Sequence, residues 1–342
     1  MTIRVILLAW AASFRAASTS LASYDERLAK QLVLFSDAAY CGDIHHGGIE
    51  PIIEWTCPPC QAASSISKTG ALSERTIFSS DEEATMGFTA LSSGIQSPGL
   101  EVVVVFRGSV LPRNFADDAD EALQELPNGG GRVHRGLYRS YASLQRQMLA
   151  QVAALRTRHS DVRRILVTGH SMGAAQAVFG AADLAQVHTD TVVIMYSFGT
   201  PRPGDASFAK HVGTFPNLFT WAVAHRADIV PECAVDPAPC NETSRGYHQI
   251  ANNVWYPDGL SQPGPSGWIE CSDGEDPRCE NSVRPTLLNW QDHNLYLNHS
   301  MWCCNNEGGR GGSGPLGPRC SFPFGSFSDD HARHFLQRVV YT

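Results

Sequence analysis

The chain has 342 residues, with 34 acidic and 26 basic side chains and a formal net charge of −8 at pH 7. An acidic balance without clusters of Lys and Arg argues against nucleic-acid binding and against electrostatic docking on anionic membranes. The length suits one large α/β catalytic domain with a terminal extension, which we favour over two separate domains.

The N-terminal residues 1–22 have the order of a secretory signal peptide. Arg4 precedes the apolar run Val5–Ala12, which is followed by small residues over 16–23. No other apolar run approaches the roughly 20 residues that a membrane-spanning helix needs. We therefore expect a secreted protein whose mature part has no transmembrane segment.

The cysteines indicate an oxidising compartment, because there are ten of them, an even number. The pair in Cys57-Pro-Pro-Cys60 has the spacing of a redox or zinc site. No second Cys-x-x-Cys follows and no His lies at zinc-finger spacing, so we predict a structural disulfide and no metal site. Sequons at Asn241 and Asn298 also suit a secreted glycoprotein.

The predicted elements alternate between strands and helices along the middle of the chain. A helix is predicted over 23–41, and a long helix with one apolar stripe follows residue 138. Short strands are predicted at 76–78 and 86–90, and strongly apolar strands at 101–106, 164–167, 191–198 and 218–223. Residues 110–132 read as a polar, turn-rich insertion. This alternation predicts an α/β fold whose central sheet is mostly parallel and flanked by helices.

The best candidate nucleophile is Ser171, in Gly169-His170-Ser171-Met172-Gly173. An apolar strand reaches this serine and an alanine-rich helix follows, which is the strand, turn and helix arrangement of a nucleophile elbow. Gly169 and Gly173 leave the room that such a sharp turn needs.

A serine nucleophile needs a base and an orienting carboxylate, and in this fold the acid and then the histidine follow the serine. Asp228 follows a strand at the carboxyl edge of the sheet and is favoured over Asp205, whose ordinary role is a helix cap. Residue properties place His293 only modestly ahead of His248. Asp292 is excluded as the orienting acid because neighbouring side chains diverge.

Six motifs occur in one order along the chain. They are Phe-Arg-Gly-Ser at 106–109, Val-His-x-Gly at 133–136, Gly-His-Ser-Met-Gly at 169–173, Ser-Phe-Gly-Thr-Pro-Arg-Pro-Gly at 197–204, Asp-Ile-Val-Pro at 228–231 and Asp-His-x-x-Tyr at 292–296. Over residues 23–304 this succession resembles the class 3 (fungal-type) triacylglycerol lipases and related feruloyl esterases. The resemblance implies an α/β-hydrolase fold, with Ser171, Asp228 and His293 as nucleophile, acid and base.

The resemblance also assigns an oxyanion hole to the backbone amides of Ser109 and Met172. It implies local bridges between Cys57 and Cys60 and between Cys271 and Cys279. By spacing from the histidine motif it pairs Cys41 with Cys304. Of the remaining cysteines, we pair Cys303 with Cys320 and Cys233 with Cys240.

The segment after Ser109 corresponds to the lipase lid, but here it is unusually acidic. Residues 114–126 carry five carboxylates beside Arg113 alone. The lid residues singled out are Asn114, Phe115, Asp117, Asp118, Asp120 and Leu123. Little apolar area is left to hold the segment in lipid, so we expect a weak response to an interface and good turnover of soluble or short-chain esters.

The domain organisation is therefore a signal peptide at 1–22, a hydrolase domain at 23–304 and a glycine-rich extension at 305–342 with a short helix. The predicted activity is ester hydrolysis through an acyl-enzyme, with an ester or lipid as substrate and no organic or metal cofactor. We expect a monomer. Alternatives are a phospholipase A1, a feruloyl-type esterase, or a non-catalytic binding protein on a hydrolase scaffold.

Overall fold

The computed structural model describes residues 23–42, 48–67, 70–95, 99–118, 120–127, 129–233, 246–258 and 267–303. The predicted signal peptide, the glycine-rich extension and the sequon at Asn241 lie outside these residues. So do Cys240, Cys304 and Cys320, together with the side chain of Cys233.

The central element is an eight-stranded sheet in the order β1-β2-β3-β6-β7-β9-β11-β12. Its strands are β1 (Ser73–Ser80), β2 (Thr85–Ser92), β3 (Glu101–Phe106), β6 (Arg164–His170), β7 (Val192–Phe198), β9 (Leu218–His225), β11 (Asn253–Tyr256) and β12 (Ile269–Glu270). The five strands from β3 to β11 run parallel, and the edge strands pair antiparallel. The predicted mostly parallel sheet is confirmed.

Helices cover both faces of this sheet. They are α1 (Glu26–Tyr40), α2 (Glu50–Ile53), α3 (Pro58–Ile66), α4 (Pro112–Asp118), α5 (Arg135–Arg158), α6 (Met172–Val187), α7 (Ala206–Val212), α8 (Ile229–Cys233) and α9 (Trp290–His293). One core cluster lies beneath α1, and the other lies beneath α5 and α6. In the described parts of the chain, no helix is both long and apolar enough to cross a membrane.

The predicted apolar stripe of α5 is part of the second core. Its side chains, which are all buried, are Tyr141, Leu144, Met148, Val152 and Leu155. Because they recur every three or four residues, they fall on one face of the helix. The first turns of α6 are built from glycine and alanine, and a Cβ on Gly173 would lie 2.4 Å from the carbonyl oxygen of Phe106 at the end of β3.

The segment 110–132, which the sequence predicted to be a turn-rich insertion, contains regular secondary structure. It contains α4, β4 (Leu123–Glu125) and the start of β5 (Arg132–His134). With β8 (Gly204–Asp205) and β10 (Tyr247–His248), these strands form a small second sheet in the order β10-β8-β5-β4. These strands have two or three residues each, so the alternation that marks a longer strand has no room to develop.

Two short hairpin strands complete the fold at the C-terminal end of the described chain, β13 (Leu295–Tyr296) and β14 (His299–Ser300). Three disulfides join described cysteines: Cys41–Cys303, Cys57–Cys60 and Cys271–Cys279. The last two agree with the predicted bridges, and bridges of this kind are typical of an oxidising compartment.

The predicted pairing of Cys41 with Cys304 is wrong, and so is the predicted pairing of Cys303 with Cys320. Trp302 and Cys303 have left-handed backbones, with φ of 83° and 57°. The backbone amide of Cys303 is held by the buried carboxylate of Asp37 at 2.7 Å. This turn brings the Cα of Cys303 to 5.1 Å from that of Cys41. Counting residues from His293 misses the turn.

Candidate active site

Ser171 lies at the sharp junction between β6 and α6. Its backbone has φ 60° and ψ −129°, a region that non-glycine residues rarely adopt and that costs about 1–3 kcal/mol. The half-buried serine is held there because its amide donates to the carbonyl of Phe198 at 3.0 Å. The strain presents the hydroxyl at the carboxyl edge of the parallel strands.

The two glycines that flank Ser171 are required by close backbone packing. A Cβ on Gly169 would lie 2.1 Å from the carbonyl oxygen of Gly173. A Cβ on Gly173 would lie 2.4 Å from the carbonyl oxygen of Phe106. The predicted steric reason for the Gly-x-Ser-x-Gly spacing is therefore correct.

Asp228 and His293 form a buried pair next to this turn. The Nδ1 of His293 lies 2.9 and 3.0 Å from the two carboxylate oxygens of Asp228, and both residues are almost fully buried. Asp228 also accepts from the amide of Val230 at 2.8 Å and from the hydroxyl of Tyr296. A carboxylate that accepts from Nδ1 orients the ring and leaves Nε2 as the proton acceptor.

A short parallel pairing brings these two residues together across 65 positions of sequence. Asp228 and Asn289 form a parallel β-bridge, in which the amide of Asn289 donates to the carbonyl of Ala227 at 2.9 Å. Asn289 is followed by α9, which ends at His293. The side chain of Asn289 caps α9 by accepting from the amide of Asp292 at 2.8 Å. His293 is thus on a one-turn helix, where the sequence indicated a loop.

The alternative candidates for the acid and the base, Asp205, Asp292 and His248, make other contacts. Asp205 caps α7 by accepting from the amide of Phe208 at 2.9 Å, and it pairs with Arg132. His248 lies in β10 of the second sheet, half-buried, with Nδ1 2.7 Å from the carbonyl of Gln249. The carboxylate of Asp292 accepts from Asn289 and from the amide of Ala227, and the carboxylate that contacts His293 is that of Asp228.

Ser109 lies in the loop after β3, and this loop packs against the start of α6, where Met172 is the first residue. Both are buried. The contact of Gly173 with the carbonyl of Phe106 shows how closely the loop lies against the helix. The hydroxyl of Ser109 donates to Asp118 at 2.7 Å, which directs this side chain towards α4.

The predicted lid residues divide between a helix, a loop and a strand. Asn114, Phe115, Asp117 and Asp118 lie in α4, Asp120 follows it, and Leu123 begins β4. Asn114 is buried, and its amide group makes four bonds of 3.1 Å, accepting from the backbone of 110 and 111 and donating to the carbonyls of 83 and 84.

Two of the five carboxylates in this segment, Asp117 and Asp120, are paired with arginines of α5. Arg139 pairs with Asp117 and Asp120, and Arg135 also pairs with Asp120. Arg113 pairs with the buried Glu83 at 2.7 Å. Counting charges within the segment alone missed the two arginines of α5, because they lie beyond it in sequence.

Four residues around the pair were not identified from the sequence as site residues: Tyr40, His170, Gly199 and Tyr296. The rings of His170 and His293 lie 4.5 Å apart, and Tyr40 bonds to His170. Burial, together with the negative charge of Asp228, raises the pKa of Tyr296 well above its ordinary value, so this hydroxyl stays protonated. His170, Gly199 and Tyr296 each lie in one of the six motifs, which was the only signal for them in the sequence, and Tyr40 lies in none.

One group of possible metal ligands occurs among the described residues, formed by Cys271, Cys279 and Glu280. The two sulfurs are joined in a disulfide and offer no thiolate to a metal ion. Burial raises the pKa of Glu280 to about 8, so this carboxyl is largely protonated at neutral pH.

Residues 103–237 match the family model for lipase (class 3). A lipase of Rhizomucor miehei is 31% identical over 207 residues, which cover 59% of this chain and 53% of that protein. A phospholipase A1-II 4 of Oryza sativa subsp. japonica is 31% identical over 178 residues, 44% of this chain and 45% of the relative. The chain spans about half the length of these curated relatives.

The structure resembles that of a triacylglycerol lipase whose catalytic centre is described as a serine protease triad. The TM-score is 0.64 at 24% sequence identity, with 82% of this chain and 98% of the other covered. This likeness confirms the predicted α/β-hydrolase fold. The matched segment confirms the predicted resemblance to the class 3, fungal-type lipases.

Proposed function

We propose that this chain is a secreted serine carboxylic-ester hydrolase that cleaves acylglycerols or related esters. The observation that carries the proposal is the buried Asp228–His293 pair beside a serine in a strained turn. Strained backbone of this kind is retained where the surrounding structure enforces it, and such positions cluster at active sites. The match to the class 3 lipases supports the same activity.

The proposed reaction has two halves. Ser171 Oγ attacks the ester carbonyl while His293 Nε2 takes its proton, and the amides of Ser109 and Met172 stabilise the oxyanion. His293 then protonates the departing alcohol, which leaves an acyl-enzyme on Ser171. Water attacks this ester with His293 again as base, and the acid is released with the serine restored. Every proton passes through His293, so the steps balance without a metal or organic cofactor.

The nucleophile assignment is tested with Ser171→Ala. We expect ester hydrolysis to fall by a factor of at least about 10³, with unchanged circular dichroism and unfolding midpoint. A serine-directed phosphonate should label the wild type at Ser171 and leave the variant unlabelled. Turnover near that of the wild type in the variant would reject the assignment. Failure of the phosphonate to label the wild type would favour the alternative of a non-catalytic binding protein.

A phospholipase A1 is the second candidate, favoured by the 31% identity to the rice phospholipase A1-II 4. The two candidates differ in the ester that is cleaved and share the proposed catalytic residues. A panel of triacylglycerol, phosphatidylcholine, p-nitrophenyl and feruloyl esters separates them, with kcat/KM compared on one preparation. Preference for the sn-1 ester of phosphatidylcholine over triacylglycerol would select the phospholipase.

We further propose that α4 and the residues up to Leu123 act as a lid that responds weakly to an interface. The four bonds of Asn114 and the ion pairs of Arg113 and Arg139 support this, because they tie α4 to the β1–β2 turn and to α5. Opening the lid would break these contacts without exposing a large apolar face.

The lid is tested by measuring the hydrolysis rate of a short-chain ester across its solubility limit. We expect a smooth saturation curve in the wild type. Arg139→Gln should loosen α4 and introduce a rise at the limit, and Arg146→Gln on the same helix serves as a control for lost surface charge. A sharp jump in the wild type would reject the proposal.

Secretion is proposed from the signal-peptide pattern and the even number of cysteines, and a monomer from the absence of any feature in the sequence that calls for a partner chain. Expression of the full chain with its residues 1–22 should deliver a disulfide-bonded protein to the medium. Its elution in size exclusion should match 37.2 kDa less the cleaved peptide.

A further inference from the structure

A small cavity lies away from the Ser171 site, between α5, α6, α7 and the turn after β4. Its volume is about 70 Å³, enough for several water-sized groups. Asp183 borders it and lies three turns along α6 from Ser171, or roughly 17 Å at the rise of an α-helix. The cavity is therefore separate from the proposed catalytic residues.

The walls of this cavity are mostly aromatic. Tyr138 and Phe179 meet edge to face with ring centroids 5.4 Å apart, and Phe179 and Phe208 lie 5.5 Å apart. Tyr141 and Phe215 add two further rings to the lining. Aromatic faces carry partial negative charge and attract cations that approach within about 6 Å of the ring.

Among the described residues of this wall, Asp183 is the one with a carboxylate, and it is half-buried. Its Oδ2 accepts from Nε2 of Gln145 at 2.7 Å and from the hydroxyl of Tyr141, which are both neutral donors. Among the described residues that line the cavity, none is a Lys or an Arg. Burial raises the pKa of the lining residue Tyr138, and the negative charge of Asp183 raises it further.

A carboxylate without a cationic partner, set among aromatic rings, favours one class of ligand. A primary ammonium is a compact, strongly hydrated charge that loses its water when it enters a site lined by aromatic rings. A methylated ammonium has few or no N–H donors, is weakly hydrated, and is stabilised by aromatic faces and one negative charge. The acidic balance of the whole chain also attracts cations.

We propose that this cavity binds a methylated ammonium group, with Asp183 as its counter-charge and Tyr138 and Phe179 as its aromatic walls. Free choline and the headgroup of phosphatidylcholine both present this chemistry. Only the compact cationic head enters the cavity, and the rest of the ligand lies in solvent. The inference does not depend on ester hydrolysis.

The test is a titration of the full mature chain with choline at pH 8. Binding is followed by broadening of the N-methyl proton resonance. The uncharged tert-butyl analogue of choline is the matched ligand, with the same shape and no charge. We expect it to bind at least about 10-fold more weakly. Equal affinity for the two ligands would overturn the proposal.

Variants assign the binding to this cavity. Asp183→Asn should weaken choline binding about 10-fold, and Tyr138→Leu should weaken it several-fold, whereas Tyr138→Phe keeps the ring and should stay within about twofold. Ser171→Ala should bind like the wild type. Unchanged binding in both Asp183→Asn and Tyr138→Leu would overturn the proposal. If a variant misfolds, the comparison of choline with its uncharged analogue still tests the proposal, because it uses the wild type.

Vesicles distinguish the two sources of the ligand. Phosphatidylcholine and phosphatidylglycerol vesicles are compared by cosedimentation with Ser171→Ala and with the double variant Ser171→Ala/Asp183→Asn. Binding to phosphatidylcholine that is lost with Asp183 would identify a lipid headgroup as the ligand. Choline binding without any Asp183-dependent sedimentation would identify a free solute.

Discussion

The imidazole ring of His170 lies against that of His293, with ring centroids 4.5 Å apart and the planes inclined by 32°. The Nε2 of His170 is 2.8 Å from the backbone carbonyl of His293, and its Nδ1 is 2.7 Å from the hydroxyl of Tyr40. Because a carbonyl only accepts, Nε2 carries the proton and Nδ1 accepts from Tyr40. Burial, and then the charge of His293, lowers the pKa of His170 well below its ordinary value, so the ring stays neutral.

We therefore expect His170 to position the catalytic base. His170→Leu keeps an apolar side chain in the space but loses the bond to the carbonyl of His293, and kcat should fall by about 10- to 100-fold with little change in KM. Tyr40→Phe leaves that bond in place and should lower kcat by only a few-fold. Steady-state kinetics with a soluble p-nitrophenyl ester measures both, and wild-type turnover in His170→Leu would contradict the role.

A methyl group added to Gly199 would collide with the side chains of Asp228 and His293. The φ of Gly199 is +59°, and a Cβ there would lie 2.9 Å from Oδ2 of Asp228 and 2.9 Å from Nδ1 of His293. Gly199→Ala should therefore separate the pair and lower kcat by about 100-fold or more, because displacements near 1 Å have effects of that size.

The matched control for this variant is Gly213→Ala. Gly213 has φ −71°, and a Cβ there would first meet a carbonyl oxygen at 3.4 Å, which is a tolerable contact. Its kinetics and thermal unfolding should match those of the wild type. If Gly199→Ala were as active as Gly213→Ala, the steric argument would fail.

Asp118 should make the protein less stable as the pH rises. One carboxylate oxygen accepts from Ser109 at 2.7 Å, and the other is buried without a hydrogen-bond partner among the described residues. Burial raises the pKa of Asp118 from 3.8 to about 7, and the charge of Asp117 adds to the rise. Between about pH 4 and pH 7 the folded state holds a proton that the unfolded state has lost, so stability declines over this window.

Asp118→Asn removes this titration while it keeps an acceptor for Ser109. The variant should gain stability relative to the wild type above pH 7, by up to about 4 kcal/mol, since one pKa unit corresponds to about 1.4 kcal/mol. The gain should vanish below pH 4. Urea unfolding at pH 4, 6 and 8 measures it, and a constant difference across these values would show that Asp118 does not titrate as described.

Asp205→Asn gives the opposite sign in the same experiment. Burial acts to raise the pKa of Asp205, but hydrogen bonds from the amides of Phe208 and Arg132 and from the Arg132 side chain lower it overall. Its contribution is therefore present above the unfolded pKa and lost as the pH falls through the folded one. The variant keeps the cap on Phe208, since Asn caps helices about as well as Asp, but it loses the charge that pairs with Arg132. It should therefore be destabilised at pH 8 by roughly 0.2–1 kcal/mol, the usual value of such an ion pair.

Cys303 and Cys304 are adjacent in sequence, and the structure joins Cys41 to Cys303. The Cys41–Cys303 bridge spans 262 positions, and removing a bridge of a long loop costs about 2–5 kcal/mol. Cys303→Ser should lower the free energy of unfolding by this amount. Peptide mapping without reduction identifies the partner directly. A peptide in which Cys41 is joined to Cys304 would contradict the bridge to Cys303.

The sequence by itself determined the local features of the site and the order of its elements. The apolar strand predicted at 164–167, the glycines around Ser171 and the alanine-rich helix are all set by interactions within a few residues. The alternation of strands and helices also fixes a mostly parallel sheet, because right-handed crossovers leave few other arrangements. These patterns placed Asp228 at the correct edge of the sheet.

Contacts between distant parts of the chain were decided only by the tertiary structure. The bridge between Asp228 and Asn289, the stacking of His170 on His293 and the bonds of Arg139 to the lid each join residues far apart in sequence. No periodicity encodes such contacts, because they depend on how loops of irregular backbone turn. The left-handed conformation of Cys303 is one example. It accompanies a bridge from Cys41 to Cys303, where spacing had predicted a bridge to Cys304.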